Sequence, residues 1–328
     1  MLYVGEPHLN LSPEGEEKER DMDTLPLVDP ELRPLLELWP TVTLTPETLV
    51  ALRERQLPVP PIPDLPVDLE RVTIEHGVVL HVYTPRAAAG PVGCIYHIHG
   101  GGFVAGKAGE LEFAHRPLAD ALGCAIVSVD YRLAPETPHP GPVEDCYAGL
   151  AWTFANAERL GIDAARIGVM GESAGGGLAA ALALLARDRG EHHLAFQHLT
   201  YPMLDDRTCT RTPHPHAGEF IWHPANNRFG WAALLGEEPG GPDVSPYAAP
   251  ARATDLAGLP PTYIMTAALD LFVDEDIDYA RRLIAAGVPT EFHVYPGAFH
   301  GFDIFPAAAV TRRAQADRVA ALTRAMSA

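Results

Sequence analysis

Gly171-Glu172-Ser173-Ala174-Gly175-Gly176 decides how this chain is read. The apolar run Arg166-Ile167-Gly168-Val169-Met170 precedes it, and an alanine-rich run follows it. A serine with glycine two residues away on both sides, at such a junction, meets the steric demand of a nucleophile elbow. The turn from strand to helix is so tight that flanking side chains are hardly tolerated, and it pushes the serine hydroxyl toward a base and a substrate. A glycine-rich turn of this kind can also seat a phosphate on a helix N-terminus. Glu172 and the net charge of −19 disfavour an anion there.

Composition bounds the remaining options. With 328 residues, 47% of them hydrophobic, the chain can build one large core with an attached cap. Its acidic balance argues against nucleic acid and anionic membrane surfaces as partners. Lys18 and Lys107 are the only lysines among the basic residues, a pattern that compositional bias explains. Cys94, Cys124, Cys146 and Cys209 lack metal-type spacing and read as free thiols, which suits a reducing compartment. Residues Met1 to Asn10 show no basic region followed by an apolar one, so a cytoplasmic location is expected. The longest apolar stretch, Gly175 to Ala186, is too short for a membrane span and reads as the buried helix behind Ser173.

Residues 1–65 form a separate N-terminal segment. It holds a charge run from Glu14 to Asp23 and short amphipathic helices over Asp29–Trp39 and Pro46–Gln56. Thr45-Pro46 is an N-cap followed by a first-turn proline. Prolines 58, 60, 61, 63 and 66 make an extended connector. From residue 66 onward strands and helices alternate. A hairpin is expected around His76-Gly77, then strands at Cys94–Ile98, Ala125–Val129, Ile167–Met170, Phe196–Tyr201, Thr262–Thr266 and Glu291–Tyr295. Helical patterns lie between most of them, which indicates an α/β fold: a mostly parallel sheet with helices on both faces. About residues 205–245, rich in Pro, His, Trp and Gly, the alternation breaks, and this stretch reads as a lid insertion.

A serine at an elbow is inert near neutral pH without a base. In this fold class the partners follow in the order serine, acid, histidine. Asp270 ends the strand-like run Ile264–Leu269, and His300 follows the run Phe292–Tyr295 through a short loop. Both stand after the carboxyl ends of strands, where open α/β sheets build their sites. His300 is assigned as general base and acid, and Asp270 as the group orienting its tautomer. Asp274 and Asp276 compete for the acid role but also suit the first turn of a helix. His99-Gly100-Gly101-Gly102 follows the strand Cys94–Ile98, and its glycines let amide groups turn toward one point. The oxyanion donors are assigned to the N–H groups of Gly101, Gly102 and Ala174. His97 and His99 share a strand face, but no third ligand accompanies them, so no metal is expected. Phe103, Tyr201, Phe220, Trp222 and Phe299 have two readings, as acyl-pocket lining or as core and lid packing.

These motifs resemble the hormone-sensitive-lipase-like branch of the α/β-hydrolases, the bacterial carboxylesterases. The chain carries His99-Gly100-Gly101-Gly102, Tyr131-Arg132-Leu133-Ala134-Pro135-Glu136, the Gly171–Gly176 elbow and His300-Gly301-Phe302 in that family's order. Asp270-Leu271-Phe272-Val273-Asp274-Glu275 fits the acid motif, although the family's Pro-Leu-Arg is replaced by Leu271-Phe272-Val273. The resemblance implies an α/β-hydrolase fold with a helical cap and hydrolysis of short- to medium-chain esters through an acyl-enzyme. It implies no cofactor, a small-molecule ester as partner, and a homodimer. Alternatives are an amidase or arylformamidase with the same triad, and a non-catalytic small-molecule receptor. The Tyr131–Glu136 block either orients the oxyanion loop through an Arg–Glu contact or is a structural turn.

Overall fold

The computed structural model describes residues 23–39, 42–54, 61–62, 64–86 and 90–327. The charged residues 14–22 and prolines 58, 60 and 63 lie outside the described residues. Eight strands are present among the described residues: β1 (Val67–Thr73), β2 (Val79–Pro85), β3 (Val92–Ile98), β4 (Ala125–Asp130), β5 (Ile162–Glu172), β6 (Gln197–Thr200), β7 (Thr262–Ala267) and β8 (Thr290–Tyr295). They form one sheet in the order β1-β2-β4-β3-β5-β6-β7-β8. The expected hairpin is β1–β2, antiparallel from Val67↔Pro85 to Thr73↔Val79. Strand β2 also meets β4 antiparallel, and from β4 to β8 every pairing is parallel.

The helices are α1 (Arg33–Leu38), α2 (Pro46–Glu54), α3 (Glu112–Leu122), α4 (Gly141–Ala155), α5 (Ala174–Arg189), α6 (Pro224–Leu235), α7 (Val273–Ala285) and α8 (Ala309–Ser327). Strand residues alternate between two helical layers, as the pleat requires. Cys94, Tyr96 and Ile98 pack into the layer with α4, α5 and α7, while Ile95 packs with residues of α3 and α8. Because both faces are covered, the central strands read as continuous apolar runs. No helix among the described residues is long and apolar enough to cross a membrane.

Helix α5 runs buried from Ala174 to Ala186. Its small residues allow a close approach to the sheet. A Cβ added to Gly175 would lie 2.1 Å from the Ile98 carbonyl oxygen, and one added to Gly171 would lie 2.2 Å from that of Gly175. The helix therefore sits directly against the ends of β3 and β5, which fixes Ser173 at the carboxyl edge of the sheet.

Two segments cover that edge. The insertion after β6 has no strand among its described residues, as expected, but it contains α6, which the sequence reading did not anticipate. Helix α2 begins where Thr45 caps it, its hydroxyl accepting the Thr48 N–H at 3.2 Å. Leu44 and Leu49 pack with Val104 and with Ala233 of α6. Asn226 of α6 accepts the Leu44 N–H at 2.7 Å and donates to the Val42 carbonyl at 2.8 Å. Further upstream, Val28, Leu32 and Leu35 pack with Tyr295, Phe299 and Phe302, and the Asp29 N–H reaches the Gly297 carbonyl at 2.9 Å.

The start of α7 takes two carboxyl groups into the core. Asp274 is exposed in the first turn, as a helix-dipole acid should be. Glu275 is buried and accepts the N–H groups of Leu204 and Asp205 at 2.7 and 3.2 Å and the Thr208 hydroxyl. Asp276 is fully buried, with no hydrogen-bond partner for either oxygen among the described residues. Burial pushes both carboxyls well above the usual carboxylate range, and at Asp276 the neighbouring charges of Glu275 and Asp270 add to it.

Two expectations follow from this packing. Gly175→Ala should destabilise the fold by about 3 kcal/mol or more, since only backbone atoms oppose the added methyl; a urea unfolding midpoint equal to wild type would contradict the packing argument. Asp276 has a raised folded pKa, so its favourable contribution is present below the unfolded value of 3.8 and is lost as pH rises through the folded value. Asp276→Asn should therefore be more stable relative to wild type at about pH 7 than at about pH 4. Urea titrations at both pH values measure it, and a pH-independent difference would rule the account out.

Candidate active site

Ser173 occupies the single-residue turn between β5 and α5, at φ 57° and ψ −124°. This conformation is unfavourable for a residue with a Cβ. It is held from both ends: the Ser173 N–H donates to the Thr200 carbonyl at 2.9 Å, and the Ser173 carbonyl accepts from Met203 and Gly177 at 2.9 and 3.0 Å. The side chain remains 8% exposed.

The three residues expected to act together do meet. His300 Nε2 lies 2.9 Å from Ser173 Oγ, and Nδ1 lies 2.7 Å from Asp270 Oδ2. Asp270, 1% exposed, also accepts the Phe272 N–H on Oδ1 at 3.0 Å. With a carboxylate on one side, Nδ1 is the donor and Nε2 is left to accept the serine proton. Asp274 and Asp276 take no part: the first points to solvent and the second is buried behind Asp270. Aromatic rings enclose the imidazole. Phe272 meets it edge-on at 5.4 Å, Tyr201 at 4.6 Å and Trp222 at 6.4 Å.

The glycine loop lies against this line of side chains. A Cβ on Gly100 would be 3.3 Å from the Ser173 Cβ. Gly101 and Gly102 adopt φ values of 112° and 62°, which only glycine takes readily. Backbone hydrogen bonds of the described residues do not use the N–H groups of Gly101, Gly102 or Ala174, and that of Ala174 falls in the first turn of α5, where a helix offers no acceptor. His99 does brace the loop, its Nδ1 donating to the Gly100 carbonyl at 2.8 Å and its ring stacking on Tyr131 at 4.4 Å. Burial brings its pKa down to about 4, so it stays neutral. His97 is tied to Ser128 and Glu172 instead, at 2.9 and 2.8 Å. Among the described residues no cluster of His, Cys, Asp and Glu could hold a metal ion.

The Tyr131–Glu136 block resolves into two separate pairs. Arg132 makes a bidentate contact with Asp145, and Glu136 pairs with Arg53 of α2. Arg53 also donates to the carbonyls of Val104 and Ala134, at 2.7 Å each. An Arg–Glu contact does brace the chain just after the glycine loop, but its arginine comes from the N-terminal segment. No local spacing could have revealed it.

The five aromatic candidates separate. Trp222 reaches over the glycine loop, where a Cβ on Gly102 would lie 2.2 Å from its ring. Tyr201 lies on His300 and donates to Asp303 at 2.6 Å. Phe220 is half-buried against Phe299. Phe103 and Phe299 are both 0% exposed, Phe103 packed against Trp231, so pocket lining gives way to core packing for these two. A separate cavity of about 380 Å³ opens between the starting ends of β6, β7 and β8 and the end of α8. Ser173, Asp270 and His300 do not line it.

Around the elbow lies a buried charged network that the sequence reading did not anticipate. Burial opposes ionisation of Glu172, but the His97 ring and Arg318 outweigh it and bring the carboxyl down to about 2. Arg318 of α8 donates to Glu172 at 3.2 Å and approaches Asp303 at 3.7 Å. Burial raises the Asp303 carboxyl, with Arg318 and the Tyr201 hydroxyl acting against it.

A family model described as the alpha/beta hydrolase fold matches residues 95–304, which include the glycine loop, elbow, acid and histidine. Carboxylesterase NlhH of Mycobacterium tuberculosis (strain CDC 1551 / Oshkosh) is 38% identical over 321 residues, covering 92% of this chain and 98% of that protein. An arylesterase of Saccharolobus solfataricus is 31% identical, with 84% and 92% of the two chains covered. Among solved structures, a bacterial heroin esterase superposes with a TM-score of 0.83 at 43% identity, over 92% of this chain and 99% of the other. The chain therefore belongs to the hormone-sensitive-lipase-like branch of the α/β-hydrolase family.

Proposed function

We propose that this protein is a carboxylesterase that hydrolyses short- to medium-chain esters with Ser173, His300 and Asp270. The observation that carries the reading is the continuous line from Ser173 Oγ through both ring nitrogens of His300 to Asp270, with contacts of 2.9 and 2.7 Å. Ser173 Oγ attacks the ester carbonyl carbon as its proton passes to His300 Nε2. The carbonyl oxygen becomes an oxyanion and is held by the N–H groups of Gly101, Gly102 and Ala174. Collapse breaks the bond to the alcohol, which leaves with the proton from His300. Water then repeats the cycle on the acyl-enzyme: His300 takes its proton, and the acid is released from Ser173. Asp270 stays ionised throughout and stabilises the imidazolium. The esterase names of the relatives support this chemistry over amide hydrolysis.

Residues 1–65 and about 205–245 act together as a cap over this site, a division supported by the Asn226 bonds to Leu44 and Val42. Trp222, leaning over Gly102, and Tyr201, beside His300, are the cap-side and core-side walls nearest the acyl group.

The expected outcome is a p-nitrophenyl ester series whose rate falls beyond medium acyl chains, together with a Ser173→Ala variant lowered by at least about 10⁴-fold. Higher rates on matched anilides would make the protein an amidase. Failure of a fluorophosphonate to label Ser173 would point to a receptor without turnover.

A further inference from the structure

Helix α8 presents a row of polar side chains to the loop that carries His300. Thr311, Gln315 and Arg318 are spaced four and three residues apart, so they share one helix face. The fully buried Thr311 hydroxyl donates to the Phe302 carbonyl at 2.9 Å. Gln315 donates to the Asp303 carbonyl at 2.8 Å. Arg318 reaches the Asp303 side chain at 3.7 Å and, on its other side, Glu172 at 3.2 Å. Glu172 immediately precedes Ser173, and Asp303 follows His300 by three residues. The guanidinium thus joins the two chain segments that carry the nucleophile and its base, which are 127 residues apart in sequence.

We propose that Arg318 is a positioning residue for ester hydrolysis, clamping the His300 loop to the Ser173 elbow. The inference rests on the triad reading above. Its logic is geometric. The contact between Ser173 Oγ and His300 Nε2 exists only while two independent loops keep their spacing, and displacements near 1 Å at such a contact cost about 10²-fold in rate. Glu172 is fixed from behind by His97 at 2.8 Å. Asp303 is fixed from the side by the Tyr201 hydroxyl at 2.6 Å, and the Tyr201 ring lies against His300. The arginine completes a chain of contacts from His97 through Glu172, Arg318, Asp303 and Tyr201 to the catalytic imidazole. Its planar fork can serve two carboxylates in different directions. Removing it leaves the partly buried Glu172 and the buried Asp303 without the cation they share, so the His300 loop has an electrostatic reason to move away from the elbow.

The test uses the full chain as Arg318→Met, Arg318→Lys and Asp303→Asn. Reactive sites are counted by stoichiometric fluorophosphonate labelling, so that turnover is expressed per folded, reactive enzyme. Arg318→Met should lower kcat per site by about tenfold or more with KM within about twofold, as expected when geometry at the reacting atoms is lost and ground-state binding is kept. Arg318→Lys, which keeps the charge, should recover to within about threefold of wild type. Asp303→Asn should fall between the two, and it carries the test if Arg318→Met does not fold. A per-site kcat at the wild-type level in Arg318→Met or in Asp303→Asn overturns the proposal. So does an Arg318→Lys variant as impaired as Arg318→Met. If wild-type Ser173 itself resists labelling, the triad reading fails, and that result is distinct from every outcome above.

Discussion

The backbone at Ser173 is the constraint on which the rest of the site depends. A non-glycine residue at φ 57° and ψ −124° carries strain on the order of 1 to 3 kcal/mol and persists only where its surroundings over-determine it. Here they do. Thr200 and Met203 anchor both sides of the peptide, and α5 lies so close to β3 that Gly175 has no room for a methyl group. The same closeness brings the chain leaving β3 alongside Ser173. The glycine loop that follows has to turn at once, and its positive φ values at Gly101 and Gly102 are how it does so. The elbow and the turn of the glycine loop are thus two results of one close approach between a helix and a strand end.

Asp270 and His300 arrive by a different route. Strands β7 and β8 run parallel to β5, so the loops after them open on the same edge of the sheet. That is why the position of Asp270 and His300 beside Ser173 was legible in the sequence: each is placed by the strand that ends just before it, and strands announce themselves by apolar runs. Helix α6 was not legible because its sequence, Pro224-Ala225-Asn226-Asn227-Arg228-Phe229-Gly230-Trp231, mixes helix breakers and poor helix formers. It is stabilised from outside, by Asn226 bonding to residues near 43 and by Trp231 lying fully buried. Phe103 and Phe299 were ambiguous for a related reason, since an aromatic beside a catalytic motif looks the same in sequence whether it faces substrate or core. The contacts of Arg53 and Arg318 were invisible because their partners lie 83 and 146 residues away.

Those two arginines share a function. Arg53 uses three nitrogens on two carbonyls and a carboxylate, an arrangement that the single ammonium of a lysine cannot reproduce, and Arg318 bridges two carboxylates. One guanidinium braces the chain after the glycine loop, and the other joins the His300 loop to the elbow. Both come from segments outside the strand ends that carry the reacting groups.

The upstream segment around Val28 to Leu35 has a consequence for how relatives of this protein diverge. It packs on Phe299 and Phe302 on either side of His300, and its Asp29 amide holds Gly297 in the loop before it. A segment seated this way is not an interchangeable module. Recombining it between homologues to obtain a new acyl preference would also reset the footing of the general base, so the two properties are expected to be inherited as one unit.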